Sequence, residues 1–394
     1  MKILMINVCC GVRSTGRICT DLAEELERRG HEVKIAYGRF PVPEKDQKYA
    51  VRIGSETDVR MHAVYARAFD AMGLGSRHAT EQFLQWVKEY DPDVIHLHNL
   101  HGYYINVPLL FAYLRTCGKR ILWTLHDCWA FTGHCAFFDY CVCEKWRSGC
   151  GNCPESKAYP ARLWLDRSKE NYARKQRLFT GIPNLTLVTP SEWLKGLLKQ
   201  SFLREYPVEV IPNGIDTEVF RPTASEKREK LELAGKTVVL GVAAVWDRRK
   251  GLEDLLCLFK LLDDRFGLLL IGLNEDQLRS LPHGVIGLAK TDSAQELAEY
   301  YSLADYFIDP TYEDNYPTTN LEAISCGTPV ITYDTGGSPE SAELYGWAVR
   351  KGDVAAIAAL LKRQEQPILR PYDFSRQTMV KRYLCKILQG SENG

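Results

Sequence analysis

Apolar residues fall along the chain in two alternating rhythms: short unbroken runs of strand length, and longer stretches repeating every three to four positions. The first run, KILMINV from Lys2, leads through a polar loop containing Gly11 into ICTDLAEELERRG. There Ile18, Leu22 and Leu26 share a helical face and Gly30 closes the helix. HEVKIAYG, DVIHLHN, RILWTLHD and LTLVTPS predict strands, while SRHATEQFLQWVKEYDP, VPLLFAYLRTCG, SKENYARKQRLF and EWLKGLLKQ predict helices. The pattern restarts at VEVIPNGID. It then runs through KTVVLGVAAV, GLEDLLCLFKLLDD, GLLLIGL, HGVIGLA, SAQELAEYYSLA, DYFIDPT, PTTNLEAISCG, TPVITYD and VAAIAALLKR. Such a train predicts an α/β fold of two doubly wound, parallel-sheet (Rossmann-like) domains, each sheet covered on both faces. The expected division is 1–204 and 205–370, with a cysteine-rich insertion at 128–153. A C-terminal amphipathic helix within 371–394 (SRQTMVKRYLCKIL) is expected to pack back on the first domain. Two such domains facing a cleft would bind ligands at the carboxyl ends of their strands.

The length of 394 residues agrees with two or three domains at about 150 residues each. Lys and Arg number 50, as do Asp and Glu, so the chain lacks the basic excess of a duplex nucleic-acid binder. No apolar run approaches the roughly 18 residues of a spanning helix, and no small-residue cleavage site follows MKILMINVCCGVRSTG. The expected location is the cytoplasm, with peripheral contact at the inner membrane face as the most that is implied. Thirteen cysteines in such a compartment should be thiols or metal ligands, and six of them crowd into 128–153.

Two stretches carry chemistry. In DPTYEDNYPTTNLEAISCGTPVITYDTGGSPE (309–340), a strand ends at Asp309-Pro310 and a loop follows with Glu313, Asp314 and Asn315. Pro317 suits a helix start, and Thr318 and Thr319 occupy its first turn, where unpaired N–H groups can hold an anion. Glu322 lies about one turn inside, and its carboxylate could accept both vicinal hydroxyls of a ribose. By themselves such acids could merely complement the helix dipole. In VVLGVAAVWDRRKGLEDLL (238–256), a strand runs into Arg248, Arg249, Lys250 and Gly251, cations able to neutralise a diphosphate leaving group. Basic loop residues are otherwise usually just solvated. The two stretches reinforce each other because both sit in strand-loop-helix context in the same half.

These residues resemble family 4 of the retaining, nucleotide-sugar-dependent glycosyltransferases, which have the GT-B fold. The resemblance runs through the loop at Gly11, the TLHD segment at His126, VIPNGID at 210–216, Lys250-Gly251 and NLEAISCGTPVI at 320–331. It implies that Glu322 binds ribose and that Lys250 and the helix start around Thr318, Thr319 and Asn320 hold the diphosphate. It implies too that Asp314 or Glu313, beside Asn315, grips the sugar. Asp314 stands where the family has its first glutamate, and Val245 where it has an arginine, with Arg248 or Arg249 as candidate substitutes. His126 would stand at the donor-acceptor junction, and the Gly11 loop would approach the donor phosphates. Read alone, a histidine at a strand end is usually structural; Asp127 is a candidate to orient it. Asn99 and His101 could line an acceptor pocket, and Arg13 and Arg17 could meet an anionic acceptor.

The cysteine cluster predicts structural zinc. CGNCP supplies Cys150 and Cys153 on one tight turn, and Cys135 with either Cys141 or Cys143 would complete a tetrahedral thiolate site. The resemblance favours Cys143. Reduced cysteines filling a small core, or a redox pair, are the alternatives.

The expected function is therefore transfer of a hexose-type sugar, with retention, from a nucleoside-diphosphate sugar to a glycan or lipid-linked glycan, in cell-envelope or exopolysaccharide synthesis. No cofactor is expected in catalysis, since no suitable loop carries a metal-binding carboxylate pair. A non-catalytic nucleotide-sugar-binding scaffold, a sugar-nucleotide epimerase on the same fold, and a zinc-dependent interaction module are the alternatives.

Overall fold

The computed structural model describes residues 1–155 and 159–388. The chain divides into two units, Met1–Ile211 with the chain from Val380, and Pro212–Met379. In the first unit, seven parallel strands form one sheet: β1 (Lys2–Ile6), β2 (Glu32–Tyr37), β3 (Ala50–Arg52), β4 (Val94–Leu97), β5 (Arg120–Thr124), β6 (Leu185–Thr189) and β7 (Val208–Val210). Their order across the sheet is β3-β2-β1-β4-β5-β6-β7. Central strands are apolar at consecutive positions because helices cover both faces; Ile3, Leu4, Met5 and Ile6 are all buried. Ile18, Leu22 and Leu26 of the helix Arg13–Arg28 are buried, as their spacing predicts.

The second unit repeats this plan with six parallel strands: β8 (Thr237–Val242), β9 (Phe266–Ile271), β10 (Val285–Leu288), β11 (Tyr306–Asp309), β12 (Val330–Tyr333) and β13 (Gly346–Val349), in the order β10-β9-β8-β11-β12-β13. Each sheet reverses its strand order once, between β1 and β4 and between β8 and β11. In doubly wound sheets the carboxyl edge at such a reversal is the place where ligands bind.

Two local differences from the sequence pattern are instructive. VEV, which the pattern groups with the second half, is β7 and pairs with β6 on the edge of the first sheet. The helix Glu56–Phe69 has no counterpart among the predicted elements, although Ser55 and Asp58 form a capping box at its start. Its period is blurred because Val59, His62 and Ala66 are buried on one face while Met61, Val64 and Tyr65 are exposed on the other.

The C-terminal helix Arg376–Leu388 contributes to the first unit. The Tyr383 hydroxyl lies 3.2 Å from Thr124 Oγ1, Arg120 donates to the Ile387 carbonyl at 3.0 Å, and Lys386 meets Glu209 at 2.7 Å. The last part of the expected 371–394 segment, residues 389–394, lies outside the described residues. Among the described residues no helix is long and apolar enough to cross a membrane.

Candidate active site

Two loops meet at the carboxyl edge beside β8 and β11. The loop after β8 ends in a short 3-10 turn, Arg248–Lys250, and enters the helix Leu252–Leu261 through Gly251. Gly251 has φ +68°, and a Cβ there would come within 2.3 Å of the Pro310 carbonyl oxygen. Only glycine lets the two loops approach so closely. The loop after β11 carries Glu313, Asp314 and Asn315 to Pro317, from which the helix Thr318–Ser325 starts with neither a side-chain cap nor an acid in its first turn.

Across this junction, Lys250 Nζ lies 2.7 Å from Asp314 Oδ2 and 3.7 Å from Asp309 Oδ1. Burial works against the ammonium, but Asp309 and Asp314 outweigh it and hold Lys250 above the usual lysine range. Burial would raise Asp314, yet Lys250 dominates and keeps it below the usual carboxylate range. Asp309 is pushed upward by burial, with Lys250 opposing. Lys250 is thus a protonated cation fixed between two carboxyl groups. Arg249 donates to the Glu313 carbonyl at 2.9 Å, and its own carbonyl accepts from Tyr312 N at 2.7 Å, so the two loops are stitched together.

The sequence-derived candidates divide by position. Lys250, Arg249, Glu313 and Asp314 gather at the junction. Thr318, Thr319 and Glu322 are half-buried on the following helix, and Tyr301 donates to Glu322 Oε2 at 3.1 Å. Asn315 is buried and its backbone N–H donates to Asp314 Oδ1. Asn320 is fully buried, its amide bonded to Ser341 Oγ at 3.0 Å. Arg248 and Val245 are exposed. Asp309, the buried partner of Lys250, is absent from the candidates; an acid closing an apolar strand was its signal.

In the first unit, Gly11 follows β1 with φ +70°, and a Cβ there would meet Asp46 Oδ2 at 2.2 Å. His126 follows β5, and its Nε2 lies 3.1 Å from His98 Nδ1. Burial depresses His126 to about 4, with Asp127 opposing, so the ring is neutral at pH 7. Asp127 does not orient His126: its Oδ2 meets His101 Nε2 at 2.8 Å, and its Oδ1 accepts from Trp129 N at 2.9 Å. Adjacent side chains diverge, and Asp127 follows the turn toward His101.

The zinc expectation is corrected. Among the described residues no group of three or more His, Cys, Asp or Glu side chains is arranged to hold a metal. Cys153 Sγ donates to the Glu155 carbonyl at 3.9 Å with Cys135 as its neighbour, while Cys150 Sγ accepts from Gly133 N at 3.1 Å. Cys143 packs at the rim of the apolar core, and Cys141 Sγ donates to the Phe138 carbonyl. Aromatic packing organises the insertion instead, with Trp146 ring centres 5.3 Å from Phe131 and 5.2 Å from Phe138. Lys175, buried from the adjoining helix, donates to the Trp129 and Thr132 carbonyls at 2.5 and 3.0 Å.

Two doubly wound parallel sheets, the second with cations and an uncapped helix start at its strand-order reversal, define the GT-B class of sugar-transferring proteins. Solved structures share this fold. Sucrose-phosphate synthase of Thermosynechococcus elongatus matches over 100% of both chains with a TM-score of 0.72 at 18% identity. HepE of Anabaena, in complex with UDP and glucose, matches over 98% of this chain and 99% of its own with a TM-score of 0.66 at 14% identity. The chain belongs to glycosyltransferase family 4: residues 15–219 match Glycosyltransferase Family 4, and residues 236–364 match Glycosyl transferases group 1. It is a glycosyltransferase. A putative colanic acid biosynthesis glycosyl transferase, WcaC of Escherichia coli K12, is 27% identical over 385 residues, 92% of this chain and 90% of that one. An N,N'-diacetylbacillosaminyl-diphospho-undecaprenol alpha-1,3-N-acetylgalactosaminyltransferase of Campylobacter jejuni is 28% identical over 182 residues, 42% of this chain and 47% of its own.

Proposed function

We propose that this enzyme transfers a hexose-type sugar, with retention at the anomeric carbon, from a nucleoside-diphosphate sugar to a glycan or lipid-linked glycan during cell-envelope or exopolysaccharide synthesis. The supporting observation is the Lys250–Asp314 contact beside the uncapped start of Thr318–Ser325, with Glu322 one turn inside. The second unit binds the donor. Glu322 takes the ribose hydroxyls, Lys250, Arg249 and the helix N–H groups take the diphosphate, and Asp314 or Glu313 takes the sugar. Negative charge grows on the leaving diphosphate as the glycosidic bond breaks, so cations and N–H dipoles already fixed there lower the barrier without reorganising. The first unit brings the acceptor, with neutral His126 as a hydrogen-bonding group for the transferred sugar. The cell-envelope assignment draws support from the names of the colanic acid and diphospho-undecaprenol relatives. The cytoplasmic face of the membrane is the location that fits such acceptors.

The test is a thermal-shift titration with UDP, GDP, ADP, CMP and dTDP, with and without EDTA, followed by a turnover assay. A nucleotide at about 100 times its dissociation constant should add about 2.7 kcal/mol. The expected result is one nucleotide that stabilises regardless of EDTA, and transfer from its sugar conjugate that Glu322→Ala abolishes. Stabilisation by none of the five would overturn the donor assignment.

A further inference from the structure

Two arginines converge at the carboxyl edge of the first sheet, beside its strand-order reversal. Arg13 opens the helix after β1, and Arg39 follows β2. The Arg13 guanidinium lies 4.3 Å from the centre of the Phe40 ring, and that of Arg39 lies 4.9 Å from the same ring and 5.8 Å from Tyr103. Among the described residues no ion pair neutralises either guanidinium. Each guanidinium is held by its cation–π contact with the ring, and the two positive charges brought to one ring favour an anion beside them. The backbone is also held out of its relaxed regions here, because Arg13, Phe40 and Tyr103 have φ of 59°, 69° and 69°. Bulky residues rarely adopt that conformation, and it persists where the surroundings enforce it. Arg17, one turn further along the helix, is exposed and outside this group.

A polar relay ends at the same place. Asp127 Oδ2 lies 2.8 Å from His101 Nε2, and His101 Nδ1 lies 2.9 Å from the Tyr159 hydroxyl. The carboxylate fixes the His101 proton on Nε2, so Nδ1 accepts from Tyr159 O–H. The Tyr159 oxygen then presents its lone pairs, within the electrostatic reach of Arg39 and Tyr103. Phe40, half-buried, adds aromatic surface of the kind on which sugar C–H faces pack, with Tyr103 buried behind it.

We infer that this group receives a sugar phosphate: Arg13 and Arg39 clamp the phosphate of the acceptor, and Tyr159, held by His101 and Asp127, accepts from a hydroxyl of its sugar. A tetrahedral dianion can satisfy two guanidinium forks at once, which a neutral glycan cannot. This rests on the reading of the first unit as the acceptor-binding one.

The experiment is a calorimetric titration of the full chain, saturated with its stabilising nucleoside diphosphate so that the donor site is filled. The probes are α-glucose 1-phosphate, methyl α-glucoside, inorganic phosphate, and glucose linked through diphosphate to a short prenyl chain. Arg13→Gln and Arg39→Gln should each weaken glucose 1-phosphate about tenfold or more, with nucleotide binding and melting temperature retained. Arg60→Gln, on the exposed face of another helix, should change nothing. Tyr159→Phe should weaken glucose 1-phosphate and leave inorganic phosphate unchanged. Tighter binding of the prenyl conjugate would assign the phosphate to a lipid carrier, and equal binding to a soluble sugar phosphate; either supports the clamp. It is overturned if the two arginine variants bind glucose 1-phosphate like the wild type, if methyl glucoside binds as tightly, or if no phosphate binds. Failure of every nucleotide to bind would instead strike the donor reading.

Discussion

Tyr301 donates its hydroxyl to Glu322 Oε2 at 3.1 Å, reaching from the helix Ala294–Leu303 to the helix Thr318–Ser325. The tyrosine is fully buried, so the carboxylate is oriented from behind by a group that cannot swing away. Tyr301→Phe should raise the donor KM by about three- to tenfold, the worth of one hydrogen bond, and leave kcat nearly unchanged. Initial rates against donor concentration decide it; an unchanged KM would remove Tyr301 from the account.

Lys250 separates Asp309 from Asp314, so its removal leaves two acids facing each other in a buried place. Lys250→Met should destabilise the second unit by about 3 kcal/mol and abolish transfer. Urea denaturation followed by tryptophan fluorescence measures the first effect. A variant as stable as the wild type would mean that the acids relax apart or take up protons at little cost.

Histidine burial predicts acid sensitivity. Burial depresses His62 to about 4, His96 to about 3 and His126 to about 4, all from 6.5. Between pH 6.5 and 4 the unfolded chain binds protons that the folded one refuses, so stability falls as pH falls through that window. Each unit of pH costs up to about 1.4 kcal/mol per histidine. The melting temperature of the first unit should therefore decline steadily from pH 6.5 to 4, with no histidine contribution above pH 7.5. A midpoint constant from pH 7 to 5 would contradict the buried-neutral assignment.

Chelation should be inconsequential for the cysteine-rich insertion. Its order comes from Trp146, Phe131, Phe138 and the Lys175 bonds rather than from assembled thiolates. Incubation with EDTA or phenanthroline is expected to leave the melting temperature unchanged, whereas Trp146→Ala should cost about 3–5 kcal/mol. A fall in melting temperature on chelation, reversed by zinc, would restore the metal reading.

The parallel sheets were plain in the sequence because strands buried on both faces are apolar without interruption, as in KILMI and FGLLLI. The loops after β8 and β11 were readable for a related reason: cations, acids and glycine fall at fixed offsets from strand ends, so Lys250 and Asp314 could be singled out without knowing that they touch. What escaped depends on contacts distant in sequence. The Asp127–His101–Tyr159 chain joins three loops, and adjacency alone suggested His126 as the partner of Asp127. Cysteine spacing misled similarly: CGNCP has ligand spacing, yet Cys150 turns to the Gly133 amide and Cys153 to the Glu155 carbonyl. The helix Glu56–Phe69 was hidden by apolar residues on both its faces.

The C-terminal helix has a consequence for synthesis. Tyr383, Lys386 and Ile387 pack on a sheet whose seven strands all precede Pro212, and they emerge only after all of Pro212–Met379. At about 5–20 residues per second that delay is roughly 10–30 s. During it the Arg120 guanidinium and the Glu209 carboxylate of the nascent chain wait for Ile387 and Lys386, while the Thr124 hydroxyl has only its bond to His96. Loss of these turns, by a premature stop codon or by proteolysis, would thus injure the first unit and spare the second.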